Sequence, residues 1–450
     1  MKPRPPLPPG PFLVVGLARS GEAVALALRA RGEEVIGCDA GASVALREAA
    51  GRLAAAGVEV HLDASGDAFA AAAGTLVKSP GVPTTAPAVQ AARRARIPVL
   101  GELELAWRLL PNEFVAVTGT NGKTTTTEWI GHIHRAAGAP VAVAGNVGTA
   151  LSSLIAKISP DETIVCEASS FQLEDTEAFA PEAAVLLNVT PDHLDRHGSF
   201  EAYVDAKLRI FANQSPQDVA VLADDLELEI PGAARQVRFG DRAAAALRLS
   251  GGELVWDGTP VVRVDEIRLP GKHNLQNAMA AAAVCLSRGL VPEAVADGLR
   301  SFGGVAHRLE LVSVHDGVAY VNDSKATNVA STIVALRSYP NGVHLIAGGQ
   351  GKGQDFSPLA PLVAERCAAV YLIGEDAGEL HQALDGTGVP LLVAGDLERA
   401  VAMAAGRARA NDVVLLSPAC ASFDQYRDFE ARGEHFRALV LGLGRPGASA

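Results

Sequence analysis

The sequence predicts an α/β protein built on mostly parallel sheets, and two observations carry that reading. Short runs of Val, Ile and Leu recur along the chain, among them FLVVG at 12–16, EVIGCD at 34–39, FVAVTG at 114–119, TIVCE at 163–167 and AVLLNV at 184–189. They continue with VAVLAD at 219–224, VHLIAGG at 343–349, AVYLIG at 369–374 and DVVLLSP at 412–418. Ala-rich amphipathic segments separate the runs. Continuous rather than alternating apolar runs mark strands buried on both faces, as parallel strands covered by helices are. Two breaks are expected. One lies near 100–111, before a strand that restarts a βα unit, and the other near 301–305, where SFGGV carries adjacent glycines. From about 243 to 267, small β-like runs alternate with turns and predict an antiparallel flap.

Composition narrows the class. With domains of roughly 100–200 residues, a chain of 450 residues holds two to four of them. Apolar residues make up 48%, yet no run reaches the ~20 residues that span a bilayer. The start, MKPRPPLPPGPF, has no apolar core and does not read as a signal peptide. Five cysteines without a C-x-x-C pair argue for a reducing compartment, and a net charge of −12 argues against nucleic acid or an anionic membrane as partner. A cytoplasmic multi-domain protein is the expectation.

Taken in order, the first βα unit reads VVGLARSGEAVALALRARGEEVIGCD, with G-x-A-x-x-G from Gly16 to Gly21 and Asp39 after the next strand. An NAD(P) site and a structural βαβ unit are both open readings, and Ala18 in the middle position weakens the first. The second unit carries TGTNGKTTTT from Thr118 to Thr127. A usual P-loop has glycine five positions before Gly-Lys, and Val117 stands there instead. The order of strand, Gly-rich turn, Lys123, Thr124 and helix still suits phosphate: backbone amides face the anion, Lys123 reaches the β/γ-phosphates and the Thr124 hydroxyl suits Mg²⁺.

Open α/β sheets bind ligands at the C-terminal ends of strands. Glu167 ends TIVCE and is a plausible Mg²⁺ ligand, Asn146 ends VAVAGN, and His193 follows AVLLNV, flanked by Asp192 and Asp195. Lys207, beside Leu208 and Arg209 on a helix starting near Phe200, reads as a solvated surface residue with no role.

The motifs in this order resemble the Mur ligase superfamily, and within it the branch that adds glutamate. They are TGTNGKTT, GNVG at 145–148, EASSFQLE at 167–174, NVTPDHLDRH, KLRIF, GKHNLQN at 271–277, AHRLE at 306–310, NDSKATN at 322–328 and SPACASFDQY at 417–426. The likeness spans nearly the whole chain. It implies a Rossmann-like domain at 1–104, a central P-loop ATPase domain at 105–304 and a Rossmann-like domain at 305–450. The implied reaction is ATP-dependent addition of D-glutamate to UDP-N-acetylmuramoyl-L-alanine through an acyl phosphate, by a monomer. An L-glutamate-adding variant, another Mur ligase or a folylpolyglutamate-type ligase are the alternatives. A binding module that has lost catalysis is disfavoured, because Lys123, Glu167, His193 and Lys207 are all present.

By the same resemblance, Gly119, Thr120, Asn121, Gly122, Lys123, Thr124, Thr125, Asn277, Arg308 and Asp323 contact ATP. Thr124 and Glu167 hold one Mg²⁺, while His193 and Lys207, the latter as a carbamate made with CO₂, hold a second. Leu17, Arg19, Ser20, Gly21, Asp39, Ser79, Asn146, Gln172 and His193 meet the UDP substrate, which replaces NAD in the first unit. Lys325, Thr327, Lys352, Ser422 and Phe429 cradle glutamate, two cations suiting a dicarboxylate. Two departures from the family pattern are Ala40-Gly41, where a polar residue meets uracil in relatives, and neutral Gln350-Gly351 in the GGQGKG turn.

Overall fold

In this computed structural model the described residues are 2–443, apart from Val147, Pro270 and Lys352, and of Asp195 the backbone alone. The chain forms two compact units, Met1–Phe302 and Gly303–Ala450. The first unit holds two sheets. One is built from β1 (Phe12–Val15), β2 (Val35–Cys38), β3 (Glu59–His61), β4 (Thr75–Lys78) and β5 (Val99–Gly101), all parallel, in the order 3-2-1-4-5. The reversal of strand order beside β1 opens a crevice at its C-terminal end, where Gly16 begins the turn into the Arg19–Ala30 helix.

The other sheet has nine strands: β6 (Phe114–Thr118), β7 (Val141–Gly145), β8 (Thr163–Glu167), β9 (Ala183–Leu186), β10 (Val219–Ala223), β11 (Arg235–Gly240), β12 (Leu247–Ser250), β13 (Glu253–Trp256) and β14 (Thr259–Arg263). Their order is 14-13-12-11-10-9-6-8-7. All neighbours are parallel except β12–β13 and β13–β14. The 243–267 stretch is therefore antiparallel, as its turn-rich pattern predicts. It is joined to β11 by a short parallel pairing at Phe239 and Gly240, so it extends the sheet rather than standing off as a flap. Every residue of β6 is buried, which is why FVAVT shows no polar alternation.

The two sheets of this unit are tied by a few specific contacts. The Pro-rich tip, featureless in sequence, places Lys2 Nζ 2.7 Å from Asp218 Oδ2 and the Arg4 guanidinium 4.3 Å from the Trp107 ring. Glu104, fully buried, accepts hydrogen bonds from the backbone amides of Glu177, Ala178 and Phe179.

The second unit holds β15 (Glu310–His315), β16 (Val318–Asn322), β17 (Val343–Gly348), β18 (Cys367–Ile373), β19 (Leu391–Gly395) and β20 (Val413–Leu416) in the order 15-16-20-17-18-19. Only β15–β16 is antiparallel. Its core lies on both faces of β17 and β20, around Leu345, Leu415 and Phe356 on one side and Ile346, Leu416 and Phe436 on the other.

Candidate active site

Val117 occupies a strand position: it pairs with Glu167 of β8 and Val185 of β9 and is fully buried. The chain leaves the sheet only after Thr118, so no glycine is needed at 117, and the turn runs from Gly119 to Gly122 into the Lys123–Ala136 helix. Gly122 has φ +84, and a Cβ there would run into Asn277 Oδ1. Asn277, on the Lys272–Ser287 helix, is thereby set against the turn. The helix start has no side-chain cap, and a helix N-terminus of this kind suits an anion.

The far side of the turn is held by the segment after β9. Thr120 N donates to Asn188 O (3.0 Å), Asn121 N donates to Asn188 Oδ1 (2.9 Å), and Asn188 Nδ2 returns a bond to Asn121 O (3.1 Å). The Thr120 hydroxyl accepts from Thr190 N at 3.0 Å. Lys123 Nζ donates to Gly119 O and Thr120 O at 3.0 and 2.9 Å, folded over its own loop, and Thr125 follows half-buried in the first helical turn. Asn188 was not a sequence candidate. Its signal was only its place at a strand end facing the Gly-rich turn.

Glu167 closes β8, 3% exposed, and is the hub of the site. Its Oε2 accepts from the Thr124 hydroxyl at 2.7 Å and its Oε1 from Asn146 Nδ2 at 3.0 Å. A buried carboxylate beside a hydroxyl at a helix N-terminus is a hard-oxygen donor pair that fits Mg²⁺. Among the described residues no three His, Cys, Asp or Glu side chains form a metal-binding group.

Lys207 corrects the surface reading. It is 1% exposed near the end of the Phe200–Leu208 helix, and its Nζ donates to Gly119 O at 2.8 Å and lies 4.4 Å from the Tyr203 ring. A lysine beside an arginine in a helix gives no periodic sign of which way it points, so burial was invisible in the sequence. Burial, and then the nearby Lys123, push its pKa down to about 7, against the pull of Asp192 and Glu167. His193 is half-exposed on left-handed backbone (φ 51), 3.5 Å from Asp192, with its ring 4.9 Å from Phe171 and 6.5 Å from Tyr203. Tyr203 thus faces both His193 and Lys207.

At the end of β1, Leu17 is buried in the core and its amide donates to Asp39 Oδ2 at 2.7 Å, while Gly41 N donates to Oδ1 at 2.9 Å. Asp39 uses both oxygens on the backbone, so its carboxylate shapes this turn. Gly21 admits no Cβ because Gly16 O lies against it, and the Ser79 hydroxyl donates to the same carbonyl at 2.7 Å. The Arg19–Ala30 helix starts uncapped, with Arg19 and half-buried Ser20 in its first turn, an anion-suited end. Arg19 Nη2 reaches Asn146 O at 3.4 Å, which connects this end to the Glu167 hub. Gln172 is buried, and its carbonyl oxygen accepts from Ser169 N at 3.0 Å in a capping box.

In the second unit, Asp323 accepts from the Ser417 hydroxyl at 2.8 Å and Leu309 N at 3.1 Å, and burial pushes its pKa up to about 7. Arg308 is exposed. Lys325 N donates to His307 O, Thr327 N to Lys325 O, and Ser422 is buried at the end of the β20 loop. Phe429 opens the Phe429–Leu443 helix. Lys352 lies outside the described residues. After Gly349 the first helical turn among the described residues is the 3-10 turn at Ser357–Leu359. Gly351 N in the GGQGKG turn donates to Asp376 Oδ2, so a carboxylate from the β18 loop meets that turn, which has no acid of its own.

The Mur ligase middle domain matches residues 117–285, and the glutamate ligase domain of Mur ligases matches 307–420. The UDP-N-acetylmuramoylalanine–D-glutamate ligase of Pelotomaculum thermopropionicum is 45% identical over 96% of this chain and 97% of its own length. That of Geobacter metallireducens is 44% identical over the same shares, 96% and 97%. Among solved structures, the UDP-N-acetylmuramate–alanine ligase of Thermotoga maritima aligns with a TM-score of 0.58 at 21% identity, over 97% of this chain and all of that one. The MurF ligase of the same organism, solved with ADP, gives 0.55 at 19%, over 82% of this chain and 96% of its own. The chain belongs to the UDP-N-acetylmuramoylalanine–D-glutamate ligase family of the Mur ligases.

Proposed function

We propose that this protein uses ATP to join D-glutamate to UDP-N-acetylmuramoyl-L-alanine, a step of peptidoglycan precursor synthesis, acting in the cytoplasm as a monomer. The observation that carries the reading is the Thr124–Glu167–Asn146 hub at the head of a helix without a side-chain cap, in a chain matched over 96% of its length by a relative named as the D-glutamate ligase. The domains are taken as 1–104, 105–304 and 305–450.

The substrate carboxylate attacks the γ-phosphorus, ADP leaves, and an acyl phosphate forms. The glutamate amine then attacks the acyl carbon, phosphate leaves, and the amine gives up its proton. Nothing here requires a Ser-His or Cys-His nucleophile, because charge stabilisation and alignment supply the catalysis. Gly119, Thr120 and Asn121 shape the turn, with the Thr120 and Asn121 amides held by Asn188; the chain from Gly122 to Thr125 and the Lys123 ammonium bind the phosphates, and Asn277, Arg308 and Asp323 are the further ATP contacts. The uncapped end at Arg19–Gly21, with Ser79, Asn146 and Gln172, takes the UDP substrate. Lys325, Thr327, Lys352, Ser422 and Phe429 take glutamate.

Thr124 and Glu167 would hold one Mg²⁺, and His193 with Lys207 a second, which would offset phosphate charge. For Lys207 the fit requires a carbamate, since an ammonium repels a cation. A pKa near 7 supplies neutral amine to attack CO₂, forming the N–C bond and releasing one proton. The deciding assay incubates the protein with UDP-N-acetylmuramoyl-L-alanine, Mg²⁺-ATP and D- or L-glutamate, and measures phosphate release and product mass. Release with D-glutamate is expected. No release with either isomer removes the ligase reading, and preference for L-glutamate selects the variant reaction.

A further inference from the structure

Arg432 is 1% exposed in the middle of the second unit, and among the described residues no carboxylate forms an ion pair with it. A buried guanidinium is costly unless its donors are satisfied. Among the described residues they are satisfied by two loops. Nε donates to the Ser324 hydroxyl at 3.0 Å and Nη2 to Ser324 O at 2.9 Å, while Nη2 also reaches Cys420 O at 3.0 Å and Nη1 reaches Ala421 O at 3.3 Å. The Ser324 hydroxyl in turn donates to Phe429 O at 2.8 Å.

These acceptors sit at telling places. Ser324 immediately precedes Lys325 and lies three residues before Thr327, Ala421 immediately precedes Ser422, and Phe429 is itself in the set. The two loops leave the C-terminal ends of neighbouring parallel strands, β16 and β20. Lys325, Thr327 and Ser422 therefore lie within three residues of an acceptor of one planar cation, and Phe429 is linked to it through the Ser324 hydroxyl. A planar fork with fixed donor directions sets distances between carbonyls in a way that a flexible ammonium does not. Asp323, next in the chain, has separate anchors in Ser417 and Leu309, so the ATP side does not hang on the same group.

We propose that Arg432 is a positioning residue for amino-acid selection, fixing the 324–327 loop against the 420–422 loop so that the dicarboxylate acceptor fits. This rests on the assignment of those residues to glutamate. The test is steady-state kinetics of the full chain with each of the three substrates varied in turn. Arg432→Lys should raise KM for D-glutamate by about tenfold or more, since sub-ångström misplacement is felt strongly in such sites. The KM values for ATP and the UDP substrate should stay within about twofold, and kcat should fall less than KM rises. Ser324→Ala, which removes one bond and is the milder change, should shift the same KM in the same direction by a smaller factor, and it decides the matter if Arg432→Lys does not fold. Uniform change in all three KM values, or lost thermal stability with unchanged kinetics, overturns the proposal. Lys325→Ala separates the two layers. If it leaves the glutamate KM unchanged, the site assignment falls and the proposal with it. If it raises that KM while neither other variant does, only the positioning role falls.

Discussion

Lys78 Nζ lies 2.6 Å from Asp175 Oδ2, with the two side chains 0% and 5% exposed. Lys78 ends β4 in the five-stranded sheet, and Asp175 follows the Ser169–Gln172 capping box beside the nine-stranded one. The pair thus joins the Ser79 turn to the segment that carries Gln172. Lys78 also donates to Val82 O at 2.9 Å, and Gly101 has no room for a Cβ because Asp175 Cβ would sit 2.7 Å from it. Burial drives the Asp175 carboxyl pKa up while Lys78 pulls it back.

Removing one partner leaves a buried charge unpaired. Lys78→Met should destabilise by about 3–5 kcal/mol, read as a lower thermal midpoint, whereas Lys78→Met with Asp175→Leu should recover most of the loss. Equal destabilisation in the single and double variants would show that the pair is not what costs energy there.

Gly122 makes a second test. An alanine there must hold a left-handed φ, at a cost of about 1–2 kcal/mol, and it also meets Asn277 Oδ1. Gly122→Ala should weaken ATP binding by at least about tenfold in titration calorimetry, the turn amides being displaced. Adding Asn277→Ala removes the collision but leaves the strain, and it also removes a proposed ATP contact. Stability should therefore recover in part while affinity does not. Full recovery of affinity would show that Asn277 does not touch the nucleotide.

The strands and the Gly-rich turn were legible because both are written locally: a run of buried β-formers is contiguous, and so is Gly-x-x-Gly-Lys-Thr. Glu167 was legible as the last residue of a strand beside that turn. Lys207, Asn188 and Arg432 were not legible from residue physics, since each gains its role from a partner far away in the chain. Lys207 meets Gly119 and Arg432 meets Ser324, and nothing in KLRIF or FEARGEHF marks those encounters. The family resemblance supplied both Lys207 and its burial, which residue physics did not. Asp39 is a different case. The resemblance assigns it to the UDP substrate, whereas its bonds to the Leu17 and Gly41 amides carry no mark in the sequence.

Asp323 gives a pH prediction. Its carboxyl ordinarily titrates at 3.8 and burial lifts it to about 7, with Ser417 and the Leu309 amide opposing. A raised acid binds its proton more tightly when folded. Stability from this group therefore falls as pH rises from about 4 to 7, and the penalty stays in place above. Asp323→Asn keeps the shape without the charge. It should be more stable than the parent at pH 8, by at most about 4 kcal/mol, with the gap narrowing at pH 5. An equal gap at both pH values would mean that the carboxylate is not strained by burial.

Lys207 gives the sharpest one. Its amine is held at about 7, well below an ordinary lysine, so the neutral form grows as pH rises through 7. For the ligand-free protein the sign is the reverse of Asp323: stability from this group increases between pH 7 and the ordinary lysine range near 10.5, where the unfolded chain still holds the proton. CO₂ adds only to the neutral amine. At fixed dissolved CO₂, ¹³C-labelled carbamate on Lys207 should therefore rise through pH 7 and be absent from Lys207→Ala. That variant should lose about 100-fold or more in phosphate release while ATP still binds, and short carboxylates should restore part of it by supplying the missing oxygens. Near-parental turnover in Lys207→Ala would remove the carbamate from the mechanism. Lost turnover with no labelled carbamate in the parent would leave Lys207 acting as a buried amine on the Gly119 carbonyl, and rescue by carboxylates would then fail.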